Sequence, residues 1–279
     1  MIRGDTKLYS LYGSPVSHSL SPIIFNATFE KLSLNRTYLP FEVNKDQAKQ
    51  AVEAARTLGF EGFNVTMPLK TIIRETLDRL DESAEDCGSV NTVANCQGRL
   101  IGYNTDGEGA VRALRAYGFE PRGKRIAVLG AGGAAQALVH RFSREKNTIT
   151  ILNRTVNWAR ELANSIAGDV GVSYEKLDRD NLENCFHNTD VVVNATPIQT
   201  PALLSQLRIP IHGVKYGGMI FDLAYDTPSE PIPGGIGSVS PLEMLVQQAA
   251  LSYEIWLNQA APLALMRSSL VDYLGKDWK

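Results

Sequence analysis

A lysine and an aspartate, Lys70 and Asp106, stand among hydroxyl and amide side chains that recur in short clusters through the first third of the chain. The clusters are Ser17-His18-Ser19-Leu20-Ser21-Pro22, Asn64-Val65-Thr66-Met67-Pro68-Leu69-Lys70, Ser89-Val90-Asn91-Thr92 and Asn104-Thr105-Asp106-Gly107. Hydroxyls and amides suit a neutral polyol, because every ligand hydroxyl buried in a site needs a partner. A lysine paired with an aspartate suits proton transfer coupled to carbonyl reduction. Each residue also has a plain structural reading. Ser21 before Pro22 reads as a helix N-cap with proline at the first helical position, and Asp106 as another cap. Lys70, on a helix expected to begin at Pro68, reads as a solvated surface lysine. His18 reads as a turn or core histidine, since no carboxylate or second histidine accompanies it at a recognisable spacing. The remaining histidines are scattered, which argues against a metal site.

The most specific local pattern is Gly130-x-Gly132-x-x-Ala135, directly after the apolar run Arg125-Ile-Ala-Val-Leu129. The first glycine makes a tight turn. The second lets backbone N–H groups approach a pyrophosphate at a helix N-terminus, and the small third residue lets helix and strand pack. About 20 residues on, a dinucleotide-binding unit specific for NAD carries an acidic residue against the ribose 2′-OH. This chain has Asn153-Arg154-Thr155 there. A carboxylate would repel a 2′-phosphate, whereas the planar fork of Arg154 pairs with one, so the pattern favours NADP. The plain alternative is an exposed surface arginine.

These residues need elements to hold them. Lys7 to Gly13 alternates as a strand does, and Leu39, Phe41 and Val43 recur at a period of two. Asp46 to Leu58 reads as a helix, and Phe60 to Thr66 as a strand ending before Pro68. Ser89–Ala94 and Arg99–Tyr103 flank Asn95-Cys96-Gln97-Gly98 as a hairpin. From Asp106 apolar residues fall at helical spacing as far as Gly118. After Pro121 strands alternate with helices: 125–129, a helix to about 142, 148–152, 190–195 and 219–223. That alternation implies parallel βαβ units. Ser240-Pro241-Leu242-Glu243 reads as a capping box opening a helix of about 17 residues, with a second helix after Pro262.

The 279 residues allow one large domain or two modest ones. With 44% hydrophobic and 21% charged residues the composition is that of an ordinary globular chain. A net charge of −2 leaves no basic footprint for nucleic acid. Three cysteines at wide spacing argue against a disulfide framework or structural zinc, and fit a reducing cytoplasm. The N-terminus has no apolar block of a signal peptide, and no stretch approaches the roughly 18 apolar residues of a membrane span. Asn26, Asn35, Asn64, Asn153 and Asn194 each open an Asn-x-Thr sequon, expected to be accidental in a cytosolic chain.

Read in order, SHSLSP, NVTMPLK, SVNT, NTDG, GAGGAA, NRT, NATP and MLVQQAA resemble the shikimate dehydrogenase family over nearly the full length. The resemblance implies an α/β protein of two domains with the active site in the cleft between them. A substrate-binding domain would comprise 1–105 plus 241–279, and a Rossmann-type NADP-binding domain 106–240. It implies NADP-linked, reversible reduction of 3-dehydroshikimate to shikimate, a step toward chorismate and the aromatic amino acids. Lys70 and Asp106 would be the catalytic pair. Ser19 and Ser21 would face the substrate carboxylate. Thr66, Asn91 and Gln248 would meet the ring hydroxyls, with Tyr225 close by. Gly130, Ala131, Gly132, Gly133, Ala134, Asn153, Arg154, Thr155 and Thr196 would hold the cofactor, and no metal is implied. The partners would be small molecules, with neither nucleic acid nor membrane, in a cytoplasmic monomer or homodimer.

Three departures from the family pattern stand out. Gln199-Thr200 follows Ile198 where Gly-Met is usual; Trp158 stands where Lys or Arg is frequent; and Leu-Asn-Gln follows Trp256 in place of Thr-Gly. Two other functions are therefore weighed: an NAD-using quinate/shikimate dehydrogenase, and a non-catalytic binding paralogue that keeps the fold.

Overall fold

The computed structural model describes residues 2–166, 171–210, 216–224 and 237–275. The chain forms two compact units, Met1–Asp106 with Leu245–Lys279, and Gly107–Met244.

The first unit opens with β1 (Lys7–Gly13), α1 (Ser21–Lys31), β2 (Arg36–Glu42), α2 (Ala48–Thr57) and β3 (Gly62–Val65). Then come β4 (Arg79–Leu80), α3 (Glu82–Cys87), β5 (Thr92–Cys96) and β6 (Arg99–Tyr103). The six strands lie in the order β2-β1-β3-β5-β6-β4. β1 runs parallel to β2 and β3, while β3–β5 and β5–β6 are antiparallel. The hairpin β5–β6 turns through Gln97 and Gly98, at φ 57° and 87°. Two successive positive φ values give the tight turn whose twist matches that of the strands, and glycine enters that region without strain.

One face of this sheet packs Tyr12, Phe63, Val65, Val93 and Leu100 against Val52 and Ala55 of α2. The other collects an aromatic cluster: Tyr9 lies 4.8 Å from the Trp256 ring, Phe25 5.1 Å from it, and Phe25 stacks on Tyr38 at 4.6 Å. Trp256 belongs to α9 (Pro241–Leu257), which is followed by α10 (Leu263–Leu274). Its indole N–H donates to the Val93 carbonyl at 2.9 Å, and a Cβ on Gly62 would come within 2.7 Å of the indole Cδ1. Glycine at 62 is therefore what admits this helix to the sheet.

The second unit continues from α4 (Asp106–Ala116) through β7 (Arg125–Leu129), α5 (Gly133–Ser143), β8 (Thr148–Asn153), α6 (Val156–Ser165) and β9 (Val172–Lys176). It closes with α7 (Arg179–Asn188), β10 (Val191–Asn194), α8 (Thr200–Gln206), β11 (Met219–Asp222) and β12 (Gly237–Val239). All its strand pairs are parallel, in the order β12-β11-β10-β7-β8-β9. That is the doubly wound order of a dinucleotide-binding fold, with its switch point between β7 and β10. Helices cover both faces, so in the central strands β7 and β10 successive residues are buried, from Ile126 to Leu129 and from Val191 to Asn194. Ile126, Val128, Ile149, Ile151, Val191 and Val193 pack with α4 and α5, and Ala127, Leu129, Leu152 and Val192 with α7 and α8.

One expectation is corrected. No α-helix follows Pro68: residues 67–72 are turns, and only Ile73–Thr76 forms a short 3₁₀ turn. Run-on helix is disfavoured by Thr71, Ile72 and Ile73, all β-branched. Instead the Lys70 carbonyl accepts from Val90 N–H at 2.7 Å, tying this turn to the strand edge. The strand expected at Leu39 and Phe41 is β2, at the edge of the sheet, where these two residues are 42% and 40% exposed while Tyr38 is wholly buried. Phe41 still packs edge-on against Tyr12, with ring centroids 6.0 Å apart.

Candidate active site

The Lys70 turn, the start of β5 and the start of α4 bring three predicted residues together. Lys70 Nζ donates to Asp106 Oδ2 at 2.6 Å. The Asp106 side chain is 4% exposed and that of Lys70 19%, so the ammonium keeps one open side while the carboxylate is enclosed. Asp106 does not cap a helix with its carboxylate: its other oxygen accepts from Asn91 Nδ2 at 2.8 Å. Charge-assisted bonds of this kind are short and strong, and a buried carboxylate persists only with such partners.

The Asn91 amide has a defined orientation. Its Oδ1 accepts from the Thr105 backbone N–H at 2.9 Å, a group that can only donate, so Nδ2 must face Asp106. The same Nδ2 lies 2.9 Å from Thr105 Oγ1 and 3.4 Å from Gln248 Oε1 of α9. Asn104 Oδ1 accepts from Asp106 N–H, and its Nδ2 donates to the Ser89 carbonyl. Three of the four sequence clusters, with Gln248 of α9, thus supply one network, in which Asn91, Asp106, Lys70 and Gln248 are linked by direct hydrogen bonds. Beside it, burial raises the Cys87 thiol to about 11, so the sulfur stays protonated and inert.

Other predicted residues stand apart from that network. Ser19 and Ser21 sit at the start of α1, where Ser21 N–H donates to Ser19 Oγ at 3.3 Å. Leu20 is the N-cap and Ser21 the first helical residue, so Ser21 is not the cap its sequence suggested. Thr66 ends β3, and its methyl would be struck by any Cβ on Gly13. Tyr225 lies outside the described residues. Asn64, Thr92 and Thr105 lie inside the sequence motifs with no expected role, and Ser252 lies outside them. The signal for Ser252 was its place one helical turn after Gln248.

In the second unit, Gly130 follows β7 at φ 107°, and a Cβ there would lie 3.2 Å from the Ala195 carbonyl that follows β10. The turn therefore abuts Ala195–Thr196 at the switch point. A Cβ on Gly132 would meet nothing within 4 Å, so internal packing does not demand glycine there. Glycine there leaves the backbone open to close approach from outside. Gly132 is also the N-cap of α5 and brings no side chain to its first N–H groups, which leaves those of Gly133 and Ala134 available to an anion. Thr196 is held by Asn194 Oδ1, which accepts from its N–H at 3.1 Å and its hydroxyl at 2.7 Å. At the end of β8, Asn153 Nδ2 donates to the Thr155 carbonyl, and Arg154 is exposed. Trp158, in the first turn of α6, is 61% exposed. Gln199 is the N-cap of α8, and its Nε2 donates to the Ala224 carbonyl at 3.3 Å.

Comparison with known proteins agrees along the chain. Residues 11–93 match the shikimate dehydrogenase substrate binding domain, 113–227 the shikimate/quinate 5-dehydrogenase family, and 242–271 the shikimate 5′-dehydrogenase C-terminal domain. An NADP(+)-type shikimate dehydrogenase of Methanopyrus kandleri is 39% identical across 98% of both chains. A shikimate dehydrogenase crystallised in complex with NADP+ has a TM-score of 0.89 at 35% identity, covering 99% of this chain and 98% of that one. Shikimate 5-dehydrogenase from Listeria monocytogenes, crystallised with shikimate and NAD, has a TM-score of 0.85 at 31% identity over 96% and 98%. With matches to every part and a relative this similar from end to end, the chain belongs to the shikimate dehydrogenase family.

Proposed function

We propose that this chain catalyses the reversible, NADP-linked reduction of 3-dehydroshikimate to shikimate, with Lys70 and Asp106 as the catalytic pair. The observation that carries the reading is the ammonium of a partly exposed lysine held 2.6 Å from an almost fully buried carboxylate. NADPH, when bound, supplies the hydride. Addition to the ketone carbon leaves negative charge on oxygen, which the Lys70 ammonium stabilises and then neutralises by giving up a proton. In the oxidation direction the lysine accepts that proton. Asp106 holds the ammonium and hydrogen-bonds the same hydroxyl.

Ser19 and Ser21 are assigned to the substrate carboxylate, and Thr66, Asn91 and Gln248 to the ring hydroxyls, with Tyr225 beside them. The open face of Gly132 supports assigning Gly130, Ala131, Gly132, Gly133 and Ala134 to the pyrophosphate. Asn153, Arg154 and Thr155 are assigned to the ribose 2′-phosphate, and Thr196 to the switch-point end of the cofactor. The proposal includes a cytoplasmic monomer or homodimer. Among the described residues no helix is long and apolar enough to cross a membrane.

The test is the absorbance of NADPH at about 340 nm, with shikimate or quinate and NADP or NAD in all four pairings, for wild type and Lys70→Ala. Turnover chiefly with shikimate and NADP is expected. Lys70→Ala should lower kcat by about 10²- to 10⁴-fold with a much smaller change in KM. Wild-type turnover chiefly with quinate or NAD would instead support the neighbouring branch, and silence from folded protein a binding paralogue.

A further inference from the structure

The Asn64 side chain, on β3, joins four elements of the first unit. Its Oδ1 accepts from the Tyr38 hydroxyl of β2 at 2.9 Å. Its Nδ2 lies 3.1 Å from the Asn91 carbonyl, 3.0 Å from Thr92 Oγ1 of β5 and 3.0 Å from Ser252 Oγ of α9. A carbonyl can only accept, so Nδ2 must face Asn91 and Oδ1 must face Tyr38. Two amide protons serve three acceptors, which draws those acceptors together around one point.

Both downstream arms lead to residues assigned to the substrate. On one, Asn64 grips the backbone carbonyl of Asn91, and Thr92 Oγ1 donates to Asn91 Oδ1 at 3.0 Å. On the other, Ser252 Oγ donates to the Gln248 carbonyl at 3.1 Å and sits 2.8 Å from Thr92 Oγ1. Asn91 and Gln248 are 157 residues apart in sequence, and their side chains meet at a stretched 3.4 Å. Their spacing is set less by that bond than by the shared anchor behind them.

We propose that Asn64 is a positioning residue that sets the spacing of Asn91 and Gln248 and thereby the recognition of the substrate's ring hydroxyls. The inference rests on the proposed function. A displacement of about 1 Å in a positioning group can change turnover by roughly 10²-fold, and a single unmatched hydroxyl is costly in a site built for it. Asn64→Ala removes the anchor. Asn64→Asp keeps the shape but sets a carboxylate oxygen against the Asn91 carbonyl.

The experiment measures kcat and KM for shikimate, for NADP, and for shikimate analogues lacking one ring hydroxyl, in wild type, Asn64→Ala, Asn64→Asp and Ser252→Ala. Folding is checked by circular dichroism. The shikimate KM should rise about tenfold or more in the Asn64 variants, with the NADP KM changed less than about twofold. The preference for shikimate over the deoxy analogues should shrink by a similar factor, and Ser252→Ala should reproduce part of this through Gln248. A purely structural role would lower all substrates in parallel. If folded variants keep the wild-type preference, the proposal is wrong; if either Asn64 variant fails to fold, Ser252→Ala decides the outcome alone. Wild type that ignores shikimate would instead bring down the functional reading beneath it, a result the variants cannot mimic.

Discussion

Lys70 carries its charge beside a carboxylate that has almost no contact with solvent, and neither group would be stable there alone. Removing one partner of a buried pair leaves the other uncompensated, at a cost of about 3–5 kcal/mol, so the dyad is coupled to folding as well as to chemistry. Asn91 and Thr105 add the bonds that make the arrangement tolerable and give it one orientation. The cofactor end is built more sparsely. Arg154 is exposed, and Trp158, in the first turn of α6, is an exposed indole with no positive charge to offer a phosphate. Trp158→Arg is therefore expected to raise the ratio of kcat/KM for NADP over NAD by up to about fivefold, the effect of one exposed ion pair of about 1 kcal/mol. Steady-state kinetics with both cofactors checks it; an unchanged ratio would mean that side chain lies out of reach of the 2′-phosphate.

The edge strand β2 shows how one element is kept from doing harm. Its Leu39 and Phe41 are exposed, and an apolar edge is a template for pairing with another chain. The outward backbone groups at Tyr38 are already taken, since Asn26 of α1 accepts from the Tyr38 N–H at 2.8 Å and donates to its carbonyl at 2.9 Å. Two residues on, Pro40 has no N–H to offer. The Asn26 amide thus occupies the position of a seventh strand for one residue. Asn26→Ala should cost about 1–3 kcal/mol for two unsatisfied backbone groups. It should also raise the soluble-aggregate fraction seen by size exclusion with light scattering. A monodisperse variant of unchanged urea midpoint would show that the amide is dispensable.

At the scale of the molecule, the first unit is completed by the far end of the chain. Trp256 inserts from α9 into the cluster of Tyr9, Phe25 and Tyr38 and bonds the Val93 carbonyl. The same helix carries Gln248 and Ser252, so the contact that closes the unit also delivers part of the site. Trp256→Ala should destabilise the protein by about 3 kcal/mol, from lost packing and an unpaired carbonyl. It should weaken shikimate binding well before NADP binding. Denaturant melts with each ligand would show this, and equal losses for both ligands would argue against a local role for the indole.

Much of this was legible from residue order alone. The parallel unit followed from strands alternating with helices, and the glycine turn from Gly130 and Gly132 directly behind an apolar run, because those patterns are set by local backbone sterics and by burial on two faces. Lys70 and Asp106 could be named because NVTMPLK and NTDG stand in the motif order of the shikimate dehydrogenase family; taken singly, they also read as a surface lysine and a helix cap. Sequence spacing could not say that Lys70 sits on a turn, since a cross-chain bond from Val90 overrides the local preference after Pro68. Nor could it say that Leu39 and Phe41 stay partly uncovered, because a period of two marks a face without telling how much of it is covered. The Asn64 node lay wholly beyond it: its partners come from Tyr38, Asn91, Thr92 and Ser252, up to 188 residues away, and only the folded chain brings their polar atoms within 3.1 Å.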